Sequence, residues 1–274
     1  MKKTLNLTAK EPLITLADGI VYAQRPDWCD ATTRSLKISL LRKRQFADYD
    51  ERVTWPVIIW LCGGAWTEMD RNVWTPELVW FAKKGFVIAS VDYSVTARTR
   101  FPQQIVDIKE AIRFLRAHAD KFRIDPNHFA VMGESAGGYL AALTGAAGTL
   151  REYDQGAYLD QSSAVQAAIP WYPATEISSF PIADILADAL PPDMRKYPDI
   201  TKLVTKDTPP YLLLHGTADS QVPLSQSEKL YDVLQAAGVE ADLIILEGSE
   251  HAEATFVQPE VKEIILEFLR KHLK

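Results

Sequence analysis

Gly133-Glu134-Ser135-Ala136-Gly137 stands between a short apolar run, His128-Phe129-Ala130-Val131-Met132, and an alanine-rich stretch with the character of a helix. No other feature constrains the fold as tightly. A chain that leaves a buried strand and enters a helix within one or two residues must hold the turning residue at strained backbone angles, and small neighbours make that turn possible. Gly133 and Gly137 bring no Cβ to collide. The hydroxyl of Ser135 is therefore expected to stand exposed above a sheet, at a helix N-terminus.

The rest of the chain supplies a sheet for that turn. Val57–Leu61, Phe86–Val91, Phe129–Met132, Ala167–Pro170, Tyr211–Leu214 and Leu243–Leu246 are near-continuous apolar runs, the pattern of strands covered on both faces. Ile14–Tyr22 and Ser35–Leu41 instead alternate apolar and polar residues, which predicts antiparallel strands at one sheet edge. Gln104–Ala117 carries Ile105, Ile108, Ile112 and Leu115 on one stripe, with Asp107, Lys109, Glu110 and Arg113 mostly off it, so it reads as an amphipathic helix. Leu224–Ala237, stopped by Gly238, and Pro259–Leu273 read as packing helices. The fold class is α/β: one domain over residues 1–274, with a mostly parallel central sheet of about eight strands and helices on both faces. Paired prolines interrupt Thr175–Pro210, read as a cap-like insertion at about 175–210.

Composition removes several function classes. The chain has 274 residues and a net charge of −6, and no Lys/Arg cluster beyond Leu41-Arg42-Lys43-Arg44. Nucleic acid is not an expected partner. Lys10, Glu11 and Pro12 fall where a signal peptide would be apolar, and no segment is read as spanning a membrane. Cys29 and Cys62 have neither metal-ligand spacing nor a framework of bridges, which fits a reducing cytoplasm.

A serine hydroxyl is a poor nucleophile at neutral pH and needs a base within reach, itself oriented by a third group. His118, His128 and His272 lie in charged, solvated settings. His251 follows the last strand in a loop of small residues, and loops at the carboxyl ends of strands carry the sites of open α/β sheets. It is the favoured base, with His215 as competitor. Asp219, in the preceding strand-end loop, is the favoured acid, since the order Ser135, Asp219, His251 is nucleophile, acid, base; a capping role is the bland alternative. Glu247 and Glu250 are weaker candidates. Amides for an oxyanion can come from the Gly63-Gly64 turn after a buried strand and from Ala136.

Cys62-Gly63-Gly64-Ala65-Trp66, Val91-Asp92-Tyr93-Ser94, Arg100–Lys109, Gly133–Tyr139, Trp171-Tyr172-Pro173, Asp219–Pro223 and His251 together resemble the α/β-hydrolases. More narrowly, they resemble esterases related to hormone-sensitive lipase and the feruloyl/acetyl-xylan esterase group. The likeness covers roughly residues 15–274. It implies the α/β-hydrolase fold, a Ser135/His251/Asp219 triad, an oxyanion hole from Gly63, Gly64 and Ala136, no metal or cofactor, and hydrolysis of carboxylic esters. The family usually has histidine where this chain has Cys62. Because the donors are backbone amides, activity is expected to survive, and Cys62 is not expected to act as nucleophile.

Trp66, Trp171 and Tyr172, with Trp74, fall on loops at the expected active end and are read as walls of a substrate pocket for flat acyl groups or sugar rings; a core role is the alternative. The expected partner is a small-molecule short-acyl ester. Arylformamidase and prolyl-oligopeptidase-like activity are the enzymatic alternatives, and an inactive hydrolase-fold binding protein is the non-enzymatic one. Oligomeric state is not legible.

Overall fold

The computed structural model describes residues 1–27, 31–44, 53–96, 98–177 and 197–273. Eight strands form one sheet: β1 (Ile14–Asp27), β2 (Thr32–Lys43), β3 (Trp55–Leu61), β4 (Val87–Val91), β5 (Ile124–Glu134), β6 (Ala167–Trp171), β7 (Tyr211–Gly216) and β8 (Ala241–Leu246). Their spatial order is β1-β2-β4-β3-β5-β6-β7-β8. β2 alone runs against its neighbours, and β3 to β8 pair in parallel. The expected antiparallel edge and the six apolar strands are all present. β8, at the opposite edge of the sheet, is however not covered on both faces as its apolar run predicts: Leu243 and Ile244 are half-buried and Ile245 is exposed.

Among the described residues there are six α-helices: α1 (Thr75–Lys83), α2 (Gln103–Ala117), α3 (Ala119–Phe122), α4 (Ala136–Ala146), α5 (Ser225–Ala236) and α6 (Pro259–His272). Because strand side chains alternate, each buried strand feeds two cores. Val57, Ile59 and Leu61 of β3 join the core made with α2, α4 and α5, whereas Ile58 and Trp60 join the one made with α1 and α6. Helices thus cover both faces, which is why the strand sequences are apolar throughout. Most of the expected insertion, residues 178–196, lies outside the described residues; of the rest, Ile200–Lys202 forms a 3-10 turn.

One expectation needs correction. Asp107, Lys109, Glu110 and Arg113, read as the wet side of α2, are all buried. The segment after α4 and the end of β1 cover that side, and each charge is matched there. Arg25 binds Asp107 at 2.7 Å and also Glu110. Lys109 donates to the Leu150 carbonyl at 2.7 Å, and Arg113 to the Ala157 carbonyl at 3.1 Å. Leaving such ions unpaired in a core is strongly unfavourable, so the covering segment and the charges require each other.

The strand order positions the site. The chain goes from β3 to β4 on one side, then returns to place β5 on the other side of β3. The connection leaving β3 leads to α1 on one face and that leaving β5 leads to α4 on the other, so a crevice opens at their carboxyl ends. Leu61 pairs with Gly133 at this edge. A Cβ on Gly137 would lie 2.1 Å from the Leu61 carbonyl oxygen, so α4 starts against the end of β3 closer than any side chain permits.

That contact yields a stability prediction. Gly137→Ala must push β3 and α4 apart, and the expected result is a thermal midpoint lowered by roughly 5 °C or more. Gly148→Ala, whose new methyl meets nothing nearer than 3.4 Å, is the matched control and is expected to shift it little. Scanning calorimetry of the pair checks this; equal midpoints would mean that the β3–α4 approach is not tight.

Candidate active site

Ser135 turns the chain from β5 into α4 with φ 55° and ψ −119°, a left-handed conformation unusual for a residue with a side chain. Its amide donates to the Trp171 carbonyl at 3.1 Å, anchoring the turn to β6. The strain is held by packing on both sides, as expected for a serine presented above strand ends.

His251 and Asp219 reach that hydroxyl from the loops after β8 and β7. His251 Nε2 lies 2.9 Å from Ser135 Oγ, and its Nδ1 lies 2.7 Å from Asp219 Oδ2. A carboxylate only accepts, so Nδ1 carries the proton and Nε2 is left to accept from the serine hydroxyl. Burial pushes the Asp219 carboxyl upward, but hydrogen bonds from His215, His251 and the Val222 amide outweigh it and hold the group well below the usual carboxylate range. Asp219 is ionised at neutral pH. The three residues are therefore arranged to take a proton from Ser135 and stabilise the imidazolium that results.

His215 does not compete for this role. It is fully buried, and its Nε2–H donates to the Val222 carbonyl at 2.8 Å, with Asp219 Oδ2 at 3.4 Å. Nδ1 then accepts from the Ser227 hydroxyl at 2.7 Å. This imidazole sits behind Asp219 as packing and polar support. Glu250, weighed as an acid, instead ties the two loops together: its Oε2 accepts from the Ser220 amide and hydroxyl at 3.1 and 3.0 Å and from the His251 amide at 3.3 Å.

The loop after β3 differs from expectation in which amides it frees. The Gly63 N–H is spent on the Glu134 carboxylate, and Gly63 does not line the cavity at Ser135, so it is not the expected donor. Gly64, Ala65 and Ala136 do line it, and among the described residues their amides have no hydrogen-bond partner. The shift by one residue has a physical cause. A Cβ on Gly63 would sit 2.6 Å from the Glu134 oxygens, so the carboxylate occupies the space beside it and takes its amide. Gly64 (φ 124°) and Ala65 (φ 49°) then turn the following amides the other way.

Glu134 also accepts from Trp74 Nε1 at 3.3 Å and lies 3.7 Å from the Cys62 sulfur. Burial raises its carboxyl above the ordinary value, against the Gly63 amide that holds it down. Sequence reasoning missed this residue, although a carboxylate between a buried strand and the turning serine was a usable signal. Cys62 is buried and its thiol is pushed up to about 12, first by burial and then by Glu134. It is no nucleophile at neutral pH.

The cavity above Ser135 is about 360 Å³ as bounded by the described residues. Trp66 lines it, its ring edge-on to Tyr139 at 5.6 Å. Trp171 and Tyr172 do not. Trp171 packs between Trp60, Trp74 and Phe256, and Tyr172 is buried beneath the His251 ring at 4.5 Å, so both serve as core under the site. Among the described residues no cluster of His, Cys, Asp and Glu is set to hold a metal ion, and no helix is long and apolar enough to cross a membrane.

A model of the BD-FAE family matches residues 46–234. Among curated proteins, the chain is 32% identical over 195 residues to "Esterase LipC" of Mycobacterium tuberculosis, covering 66% of this chain and 48% of that one. It is 29% identical over 208 residues to "Probable carboxylic ester hydrolase LipM" of the same organism, covering 69% and 47%. The chain spans about half the length of these relatives. Among solved structures it is similar to a "Truncated form of carbohydrate esterase from gut microbiota", with a TM-score of 0.76 and 26% identity over 96% of this chain and 98% of the other.

Two predictions come from this geometry. Glu250→Ala should free the Asp219 and His251 loops, so that the low-field proton resonance of His251 Nδ1–H broadens by solvent exchange, whereas Glu250→Gln, which keeps an acceptor oxygen, should retain it. A resonance equally sharp in all three proteins would deny Glu250 a positioning role. Cys62 in the native protein should resist iodoacetamide at mildly alkaline pH and react on unfolding, read by mass spectrometry of its peptide.

Proposed function

The chain belongs to the BD-FAE family, and from that premise we propose that it is a carboxylic ester hydrolase working through an acyl-enzyme on Ser135. The observation that carries the reading is the continuous relay from Ser135 Oγ to His251 at 2.9 Å and from His251 to Asp219 at 2.7 Å, opening on a cavity with unspent amides. The esterase names of its relatives and of a neighbour over 25% identical support the same class.

In this mechanism Ser135 Oγ attacks the acyl carbon while its proton passes to His251 Nε2. Negative charge moves to the former carbonyl oxygen, and the amides of Gly64, Ala65 and Ala136 receive it at the N-terminus of α4. Collapse breaks the bond to the alcohol, which leaves with the proton from His251. Water then loses a proton to His251 and attacks the acyl carbon; a second collapse returns the proton to Ser135. Each oxyanion donor contributes on the order of a hundredfold or more in turnover, which makes the Glu134-set loop consequential.

A short acyl group suits the site. Trp66 closes one wall of a cavity at the small end of the range for ligand pockets. Similarity to a carbohydrate esterase supports an acylated sugar as one substrate class. A buried free thiol at Cys62 is in keeping with a reducing compartment such as the cytoplasm.

An active-site fluorophosphonate should label Ser135. Ser135→Ala and His251→Ala should each lower turnover of 4-nitrophenyl acetate by about 10⁴-fold with the fold intact. In a panel with N-formylkynurenine and proline anilides, the short-acyl esters should be the best substrates. An unlabelled Ser135, or a formyl or prolyl amide preferred to every ester, overturns the proposal.

A further inference from the structure

A second cavity, of about 460 Å³, opens at the same edge of the sheet, one strand across from the nucleophile, between the loops that follow β3 and β4. Thr67 and Glu68 line both this cavity and the one above Ser135. A single turn, closed by the Thr67 and Glu68 amides on the Gly64 carbonyl, is shared between them. The two cavities therefore adjoin across this turn.

The second cavity is lined by Arg34, Lys37, Arg71 and Arg98. Two of these cations are already matched. Arg71 binds Asp18 at 2.7 Å and both Asp92 oxygens at 3.1 Å, and Arg98 binds Asp27 at 2.8 Å. The Asp92 carboxylate on the cavity wall shares Arg71 with Asp18 and also accepts the Lys37 amide at 3.0 Å. Lys37 Nζ and the Arg34 guanidinium have no carboxylate partner among the described residues. Arg34 donates through Nη2 to the Ser94 hydroxyl at 3.1 Å, and its Nε is buried without a partner. Glu68, exposed at the rim, and Asp92, which has only a share of Arg71, are the opposing charges on the lining.

Two cations without an ion-pair partner among the described residues, in a cavity that adjoins the Ser135 site, favour an anionic ligand group, since guanidinium and ammonium donors bind carboxylate and sulfate oxygens more strongly than neutral ones. We propose that this cavity is a subsite for a negatively charged group carried by the ester substrate at a distance from the scissile bond, held by Arg34 and Lys37. The inference rests on the ester-hydrolase reading. It narrows the substrate class to esters with a carboxylate, or a chemically similar anion, on the alcohol or the acyl part.

Two ladders of increasing chain length test it: acetyl esters of ω-hydroxycarboxylic acids, and methyl monoesters of dicarboxylic acids, each beside its neutral carboxamide. At the length that reaches Lys37 and Arg34, the acid should exceed its amide in kcat/KM by about tenfold, chiefly through KM. Whichever ladder shows this preference tells which part of the substrate enters the subsite. The ratio should shrink as salt screens the charges and fall to about one in the Lys37→Gln, Arg34→Gln double variant. Lys37→Gln alone keeps the backbone bond to Asp92 and serves if the double variant does not fold. General damage lowers acid and amide alike and leaves the ratio unmoved. Hydrolysis of both members with equal kcat/KM at every length in both ladders overturns the subsite alone. No hydrolysis of any ester overturns the ester-hydrolase reading and the subsite with it.

Discussion

Everything at the active end of this protein depends on how closely α4 is allowed to approach the end of β3. The Leu61 carbonyl occupies the place where Gly137 would carry a side chain, and Gly133 pairs with Leu61 across the sheet. This contact fixes three things together: the strained angles of Ser135, the position of the β3 loop over it, and the burial of Glu134 between them. Removing Cβ atoms at two positions makes possible an approach that no favourable side-chain contact could create.

Glu134 shows what that approach costs and returns. A carboxylate taken out of water is unfavourable unless its lone pairs are satisfied. Here the satisfaction comes from the Gly63 amide, the Trp74 indole and the Cys62 thiol, all belonging to the loop and its support. The loop is thereby tied to a carboxyl group next to the nucleophile. Cys62 contributes to this network as a weak donor. The same logic of a buried carboxyl group held by local donors recurs at Asp219, which gathers two imidazoles and two amides around one carboxylate.

The parts of the fold legible in the sequence were those set by local sterics and periodicity. The elbow at Ser135 is a constraint on five consecutive residues, and strands covered on both faces announce themselves as unbroken apolar runs. The order Ser135, Asp219, His251 follows from strand-end placement. What the sequence could not reveal depends on contacts between distant segments. Which amide of the β3 loop is consumed is decided by Glu134, 71 positions away. Whether Trp171 and Tyr172 face ligand or core is decided by Phe256 and His251 folding over them. The polar side of α2 looked like a solvated face because nothing in its own periodicity reports that Arg25 and the segment around Asp154 cover it.

The base sits 116 positions after the nucleophile, on the loop that follows β8, and β8 pairs with the sheet along one side only. During synthesis the ribosome therefore completes the elbow, its helix and most of the sheet before His251 is made. A nascent chain at that stage holds a preformed but inert hydroxyl. The docking of this last strand is what carries the imidazole to the Ser135 hydroxyl.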